Sequence, residues 1–389
     1  MVEDSLIEIS FFIILALFGT ILSMRMRQPY VVGLLLLGVL AGPHVFALVK
    51  GQEMIETFSE LGAILLLFAV GIEFSASKLM RHGFRAILIT FFKMMVLFFF
   101  GYELALYFGL DLTSALFAGA MVAVTSTAIL YKMAAEKGTH KDAVMPLLFS
   151  MLIVEDVVAV AALTFFSSLG GGAPTYEDKI YSVLVSLGLL GAFYFVVRRH
   201  AIDAIIRMTS SFNEEALIFV SFSLCLVMAY MADFFGLSPA IGAFLAGSII
   251  ASLPNVRAIE RTIRPLLLTF SAFFFLSLGM QVDPAAVWGN LAFAAALTAA
   301  FILVCFGSVF TLVYTTGASG RRALLAASSM VVLGEFSLII AATASGEMKT
   351  TLLSVGSFGV VATAMFSSFL LGRQGRLEAI ARNNVPAHA

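Results

Sequence analysis

Apolar residues fill blocks of about 20 along nearly the whole chain, set apart by short polar or basic connections. A helix rising ~1.5 Å per residue needs roughly 20 mostly apolar residues to cross the hydrocarbon core of a bilayer. This template predicts thirteen runs, at about 6–24, 30–49, 55–75, 86–108, 113–134, 144–168, 180–197, 213–236, 237–252, 264–282, 288–315, 321–345 and 350–372. The ninth is short and opens on Ser238-Pro239, as a partial or tilted span would. No stretch is long or polar enough to form a separate soluble domain.

The basic residues test the count. Alternate connections hold Arg25 and Arg27; Lys78, Arg81 and Arg85; Lys132, Lys137 and Lys141; Arg198, Arg199 and Arg207; Arg257, Arg261 and Arg264; Arg321 and Arg322; and Arg373, Arg376 and Arg382. The opposite side has Lys50, Lys179 and Lys349, and Lys93 lies within the fourth run. The positive-inside rule makes the nineteen cytoplasmic, with the N-terminus outside and the C-terminus inside. A missed or invented span would have scrambled this alternation.

Composition agrees. The chain of 389 residues is 61% hydrophobic and 12% charged, which suits a polytopic all-α membrane protein with lipid as its solvent. A net charge of -1 gives no reason to expect nucleic acid as a partner. Cys225 and Cys305 both fall inside apolar runs, so no disulfide framework is expected. Glu3 and Asp4 stand where a signal peptide would be basic, and the first run is expected to be a retained span.

The chain also resembles itself at an offset of about 208 residues. Pro29-Tyr-Val-Val-Gly33 with Gly38 matches Pro239-Ala-Ile-Gly242 with Gly247, and Gly71-Ile-Glu73 matches Gly279-Met-Gln281. Spans 2 and 3 therefore map onto 9 and 10, seven spans later. An odd separation inverts topology, the signature of secondary transporters with midplane sites at interrupted helices. The offset carries Thr125-Ser126-Thr127 onto Leu333-Gly334-Glu335, so both places are predicted breaks whose freed backbone groups face a cavity.

Glu155 and Asp156 lie side by side in the middle of the sixth run. Carboxylates at that depth are costly and mark ion or proton pathways. On a helix they point about 100° apart, so they do not face one cavity equally. Ionising both in low dielectric is unfavourable, so they should share their titration. Asp156, Thr125 and Glu335 each lie roughly 18–21 Å from the start of their own span, which suggests one site. Asp156 is the expected cation and proton ligand, with help from Glu155 and the hydroxyls of Thr125, Ser126 and Thr127. Gly334 and Glu335 are expected to serve the second break, Glu335 neutralising helix ends. Lys93, roughly 10 Å from the cytoplasmic start of its span, is expected to snorkel. Glu73, near Lys78 and Arg81, suggests a gate or interface pair.

No enzymatic arrangement emerges. All five histidines fall in loops, span ends or the tail, so no serine–histidine dyad forms at mid-membrane depth. An intramembrane aspartyl protease needs two mid-membrane aspartates, and Asp156 stands alone. No metal spacing, phosphate loop or cofactor motif is present.

Val122-Ala-Val-Thr-Ser-Thr-Ala-Ile129, Val154-Glu-Asp-Val157, Gly242-Ala-Phe-Leu-Ala-Gly247, Phe274-Phe-Leu-Ser-Leu-Gly-Met280 and Gly334-Glu-Phe-Ser337 together resemble the monovalent cation:proton antiporter-2 family. Leu66-Leu-Phe-Ala-Val-Gly-Ile-Glu-Phe-Ser75 and the Glu-Asp pair look closest to its Kef and Kht-type potassium/proton antiporters. The resemblance implies the sodium/proton-antiporter (NhaA-like) fold with two crossed broken helices. Core spans 4–6 (86–168) and 11–13 (283–372) would move as an elevator against dimerisation spans 1–3 (1–85) and 8–10 (210–282). A linker span (169–209) and a cytoplasmic tail (373–389) complete the chain. It further implies a homodimer in the lipid of a prokaryotic cell membrane, with Asp156 as the essential aspartate. Two departures matter. Span 11, Trp288 to Thr315, lacks the lysine of sodium-type relatives, which leans towards potassium. Many Kef proteins carry a nucleotide-binding regulatory domain after the membrane part, whereas this chain ends about 17 residues after its last run. A separate cytoplasmic regulatory subunit, as in Kht systems, or a domain beyond this chain would fill that role.

The expected function is therefore secondary-active exchange of a monovalent cation for protons, potassium before sodium. An organic-anion symporter of the same fold, or a channel, ranks below.

Overall fold

The computed structural model describes residues 2–26, 28–49, 51–73, 76–126, 129–130, 142–169, 188–199, 214–235, 237–253 and 256–372. Among them all regular structure is helical: α1 (Val2–Met26), α2 (Tyr30–Ala41), α3 (Gln52–Glu73), α4 (Ala76–Tyr107), α5 (Leu112–Ala123), α6 (Met145–Leu169), α7 (Glu214–Phe234), α8 (Pro239–Ala251), α9 (Val256–Gln281), α10 (Pro284–Gly289), α11 (Leu291–Thr315), α12 (Gly320–Met330), α13 (Glu335–Ala342) and α14 (Gly346–Gly372). Residues 188–199 form a further helical piece. Among the described residues, eight stretches are long and apolar enough to cross a membrane, counting α12 and α13 as one, and four shorter apolar helices accompany them.

Several predicted runs differ from what folds; the run at 86–108, for one, starts earlier, at Ala76. The run at 30–49 is helical only to Ala41, because Gly42 stands before Pro43 and takes extended angles (φ -67°, ψ 171°). Residues 45–49 then turn back, their amides donating to the carbonyls of Leu40, Ala41 and Gly42. The run at 264–282 starts earlier, at Val256, and continues through Pro265.

Asp111 opens α5. Its carboxylate accepts from the amides of Thr113 (3.0 Å) and Ser114 (3.4 Å) and from the Ser114 hydroxyl. The hydroxyl bond first, and then the two amides, hold the carboxyl below its ordinary value of 3.8. A depressed pKa contributes stability above the unfolded value and loses it as pH falls through the folded one. Asp111→Ala should cost about 1 kcal/mol at neutral pH. Melting in detergent at several pH values will show the gap to the parent protein closing in acid.

The chain forms two compact units, Met1–Lys50 with Lys78–Ala159 and Leu278–Ala389, and Gly51–Ser77 with Val160–Ser277. Each carries one copy of the same glycine crossings. In the first, a Cβ on Gly33 of α2 would collide with the Gly19 carbonyl of α1. A Cβ on Gly279 would collide with the Leu35 carbonyl and stand 2.9 Å from Gly38 Cα. In the second, a Cβ on Gly242 of α8 would collide with the Met228 carbonyl of α7, and one on Gly71 with the Phe244 carbonyl, 3.0 Å from Gly247 Cα. Position 228 stands 209 after 19, 244 stands 209 after 35, and 279 stands 208 after 71. The repeat is thus present in the packing: span 2 meets span 10 as span 9 meets span 3.

Candidate functional site

Helix α5 stops at Ala123 and residues 124–126 are not helical, Val124 being extended (φ -110°, ψ 134°). Helix α12 stops at Met330, and α13 resumes at Glu335. The two interruptions fall where the repeat predicts them and are bonded to each other. The Ser126 amide donates to the Val332 carbonyl at 2.8 Å, and the Ser126 hydroxyl donates to Glu335 Oε2 at 2.8 Å. Ser126 Oγ also accepts from the Ile129 amide at 3.2 Å. Gly334 makes the approach possible, since a Cβ there would stand 2.7 Å from Ser126 Cα. From α13, the Ser337 hydroxyl donates to the Met121 carbonyl at 2.6 Å.

The third side comes from α6 and α4. Glu155 Oε2 accepts from the Thr125 amide (2.9 Å) and the Thr125 hydroxyl (2.6 Å). Lys93 Nζ lies 2.6 Å from Glu155 Oε1, both side chains being 0% exposed, and donates to Thr125 Oγ1 at 3.2 Å. A broken helix leaves amides without intrahelical partners, and in lipid each must find one inside the protein. Glu155 supplies it for Thr125, and Lys93 offsets the buried charge that this introduces.

This corrects the expectation for Lys93. It does not snorkel: the ammonium is held inward by Glu155 and Thr125, charge-assisted bonds that no interfacial position would match. Span 11 carries no charge, and the buried lysine of this cluster lies on α4. Sequence spacing hid the pair, because residues 93 and 155 are brought together by tertiary packing.

Asp156 is 4% exposed and Glu335 1% exposed. Thr125 and Ser126 are likewise buried. Thr125, Ser126, Gly334, Glu335, Glu155 and Lys93 therefore share one bonded cluster, with Asp156 the residue next to Glu155 on α6. Thr127 lies outside the described residues, as does the side chain of Glu73, the last residue of α3. Cys225 and Cys305 are buried and unbridged. Sequence reasoning missed Thr363, whose hydroxyl accepts from the Leu333 amide at 3.0 Å.

Residues 13–373 match the family described as sodium/hydrogen exchanger, transmembrane. The chain belongs to that family. It is a multi-pass membrane transporter, not an enzyme, and cation/proton antiport is its class of activity. It is 26% identical over 354 residues to the Na(+)/H(+)-K(+) antiporter GerN of Bacillus cereus, covering 90% of this chain and 91% of GerN. Against K(+) efflux antiporter 4 of Arabidopsis thaliana it is 28% identical over 343 residues, covering 85% of this chain and 57% of that protein. The chain thus spans little more than half of the plant relative. The sodium proton antiporter MjNhaP1 of Methanocaldococcus jannaschii shares the fold, with a TM-score of 0.71 at 16% identity over 97% of this chain and 99% of that one.

Proposed function

We propose that this protein exchanges potassium for protons at Asp156 by alternating access. The observation that carries the proposal is the pair of adjacent buried carboxylates beside two mutually bonded helix interruptions. Of these carboxylates, Glu155 is fixed by Lys93 and by two bonds from Thr125. Glu155 and Lys93 form the internally neutral support, and Asp156 is the group for which cation and proton compete. A buried carboxylate needs a counter-charge or a proton, and swapping one for the other is the simplest antiport device.

Potassium is preferred because span 11 carries no charge and because the plant relative is a potassium efflux antiporter. Sodium is the second possibility, favoured by the dual description of GerN. The wider scheme retains thirteen spans with the N-terminus outside, in the cell membrane of a prokaryote. In it, spans 4–6 and 11–13 move past spans 1–3 and 8–10 of a homodimer. Regulation comes from a separate cytoplasmic subunit.

The test is a proteoliposome assay in which proton movement is driven by a potassium or a sodium gradient. Potassium should move protons and sodium should do so less. Sodium working where potassium fails would overturn the choice of ion; failure of both would overturn antiport itself.

A further inference from the structure

The first unit repeats its own bonding at a constant spacing, beyond the glycine crossings. Thr125 N donates to Glu155 Oε2 at 2.9 Å; 208 residues on, Leu333 N donates to Thr363 Oγ1 at 3.0 Å. The Thr90 hydroxyl of α4 donates to the Met151 carbonyl of α6 at 3.4 Å. At the positions 208 later, a Cβ on Gly359 of α14 would stand 3.4 Å from Thr298 Oγ1 of α11. Ser126 and Gly334, also 208 apart, touch each other. Spans 4 and 6 thus have counterparts in spans 11 and 13, and Thr363 is the counterpart of Glu155.

The two halves differ in charge. The residue 208 after Lys93 is Phe301, buried and apolar, and that after Glu155 is a threonine. Thr363 is 0% exposed. Its hydroxyl spends its proton on the Gly359 carbonyl at 2.7 Å, so its oxygen faces Leu333 as an acceptor. Leu333 stands between Val332, whose carbonyl takes the Ser126 amide, and Gly334-Glu335, whose carboxylate takes the Ser126 hydroxyl. Anchoring Leu333 therefore fixes both partners of Ser126.

We propose that Thr363 is a positioning residue for cation binding: by capping the Leu333 amide it holds the second interruption, and through it Ser126 and Glu335, in register with the carboxylates of α6. This rests on the antiport proposed above. Without Thr363 the amide is buried and unpaired, and the interruption relaxes to satisfy it.

The variants are Thr363→Val, which keeps shape and loses the acceptor, and Thr363→Ser, which keeps it. In the proteoliposome assay Thr363→Val should raise the cation concentration for half-maximal exchange about tenfold, equivalent to ~1.4 kcal/mol. Its maximal rate per folded protein should stay near that of the parent, and Thr363→Ser should restore the half-maximal concentration. An unchanged value in Thr363→Val, or equal effects of Val and Ser, would overturn the proposal. If Thr363→Val does not accumulate as monodisperse protein, Thr363→Ala is read in the same way; failure of both to fold would make Thr363 a folding residue and sink the positioning role. Parent protein without exchange would count against antiport, whereas an active parent with an indifferent Thr363→Val counts against this inference alone.

Discussion

Asp156→Asn should reduce cation-driven proton movement to that of empty liposomes while leaving the protein folded. The substitution preserves shape and removes a carboxylate that is 4% exposed. Exchange should vanish in protein that still purifies as a monodisperse, folded species. Undiminished exchange would remove Asp156 from the site. This separation of activity from stability is the pattern expected of a residue that binds what is transported.

Lys93→Ala should show the reverse emphasis. It leaves the 0% exposed Glu155 carboxylate without its ammonium and opens a cavity where the stem packed. Breaking a buried pair by removing one partner costs about 3–5 kcal/mol, a large share of the ~5–15 kcal/mol that holds a typical protein folded. A marked fall in melting temperature and in yield is expected. The paired change Lys93→Met with Glu155→Gln should recover most of the stability, since no uncompensated charge remains and a glutamine oxygen can still accept from Thr125. If the single variant melts like the parent, the pair contributes no net stability. If the double is as unstable as the single, the cost lies in the lost ion pair and its hydrogen bonds rather than in an uncompensated charge or a cavity.

The two predictions divide the acidic pair. Glu155 is worked into the frame by Lys93 and Thr125, and Asp156 stands next to that frame on the same helix. Sequence alone already places Asp156 ahead of Glu155 as the ligand, but not what holds Glu155, because adjacent residues carry no information about which of them a distant lysine reaches.

Much of the architecture was nonetheless legible. Apolar runs are set by the thickness of the bilayer, so Ile9–Met26 and Leu291–Thr315 were readable from composition and length. The breaks at Thr125 and Gly334 were readable because the repeat aligned them and because hydroxyls and glycine are what an interruption in lipid requires. What escaped notice was decided by packing across helices. Lys93 was judged by its distance along its own helix, which says nothing of a carboxylate on a neighbouring one. The early end of α2 was signalled by Gly42-Pro43 but outweighed by the apolar residues that follow. Thr363 was within reach, since adding 208 to Glu155 lands on it; a lone threonine in an apolar helix simply carries no mark of its own.

The contact between Ser126 and Gly334 has a further consequence. Each is the other's counterpart under the repeat, so at this point the molecule meets itself. Elsewhere, alternating access can let the halves trade environments, one residue adopting what its twin gives up. Under the alternating access proposed above, these two can trade only with each other, so a side chain placed at either position has to fit both arrangements, and a serine facing a glycine is about the least bulk that still leaves a hydroxyl to give.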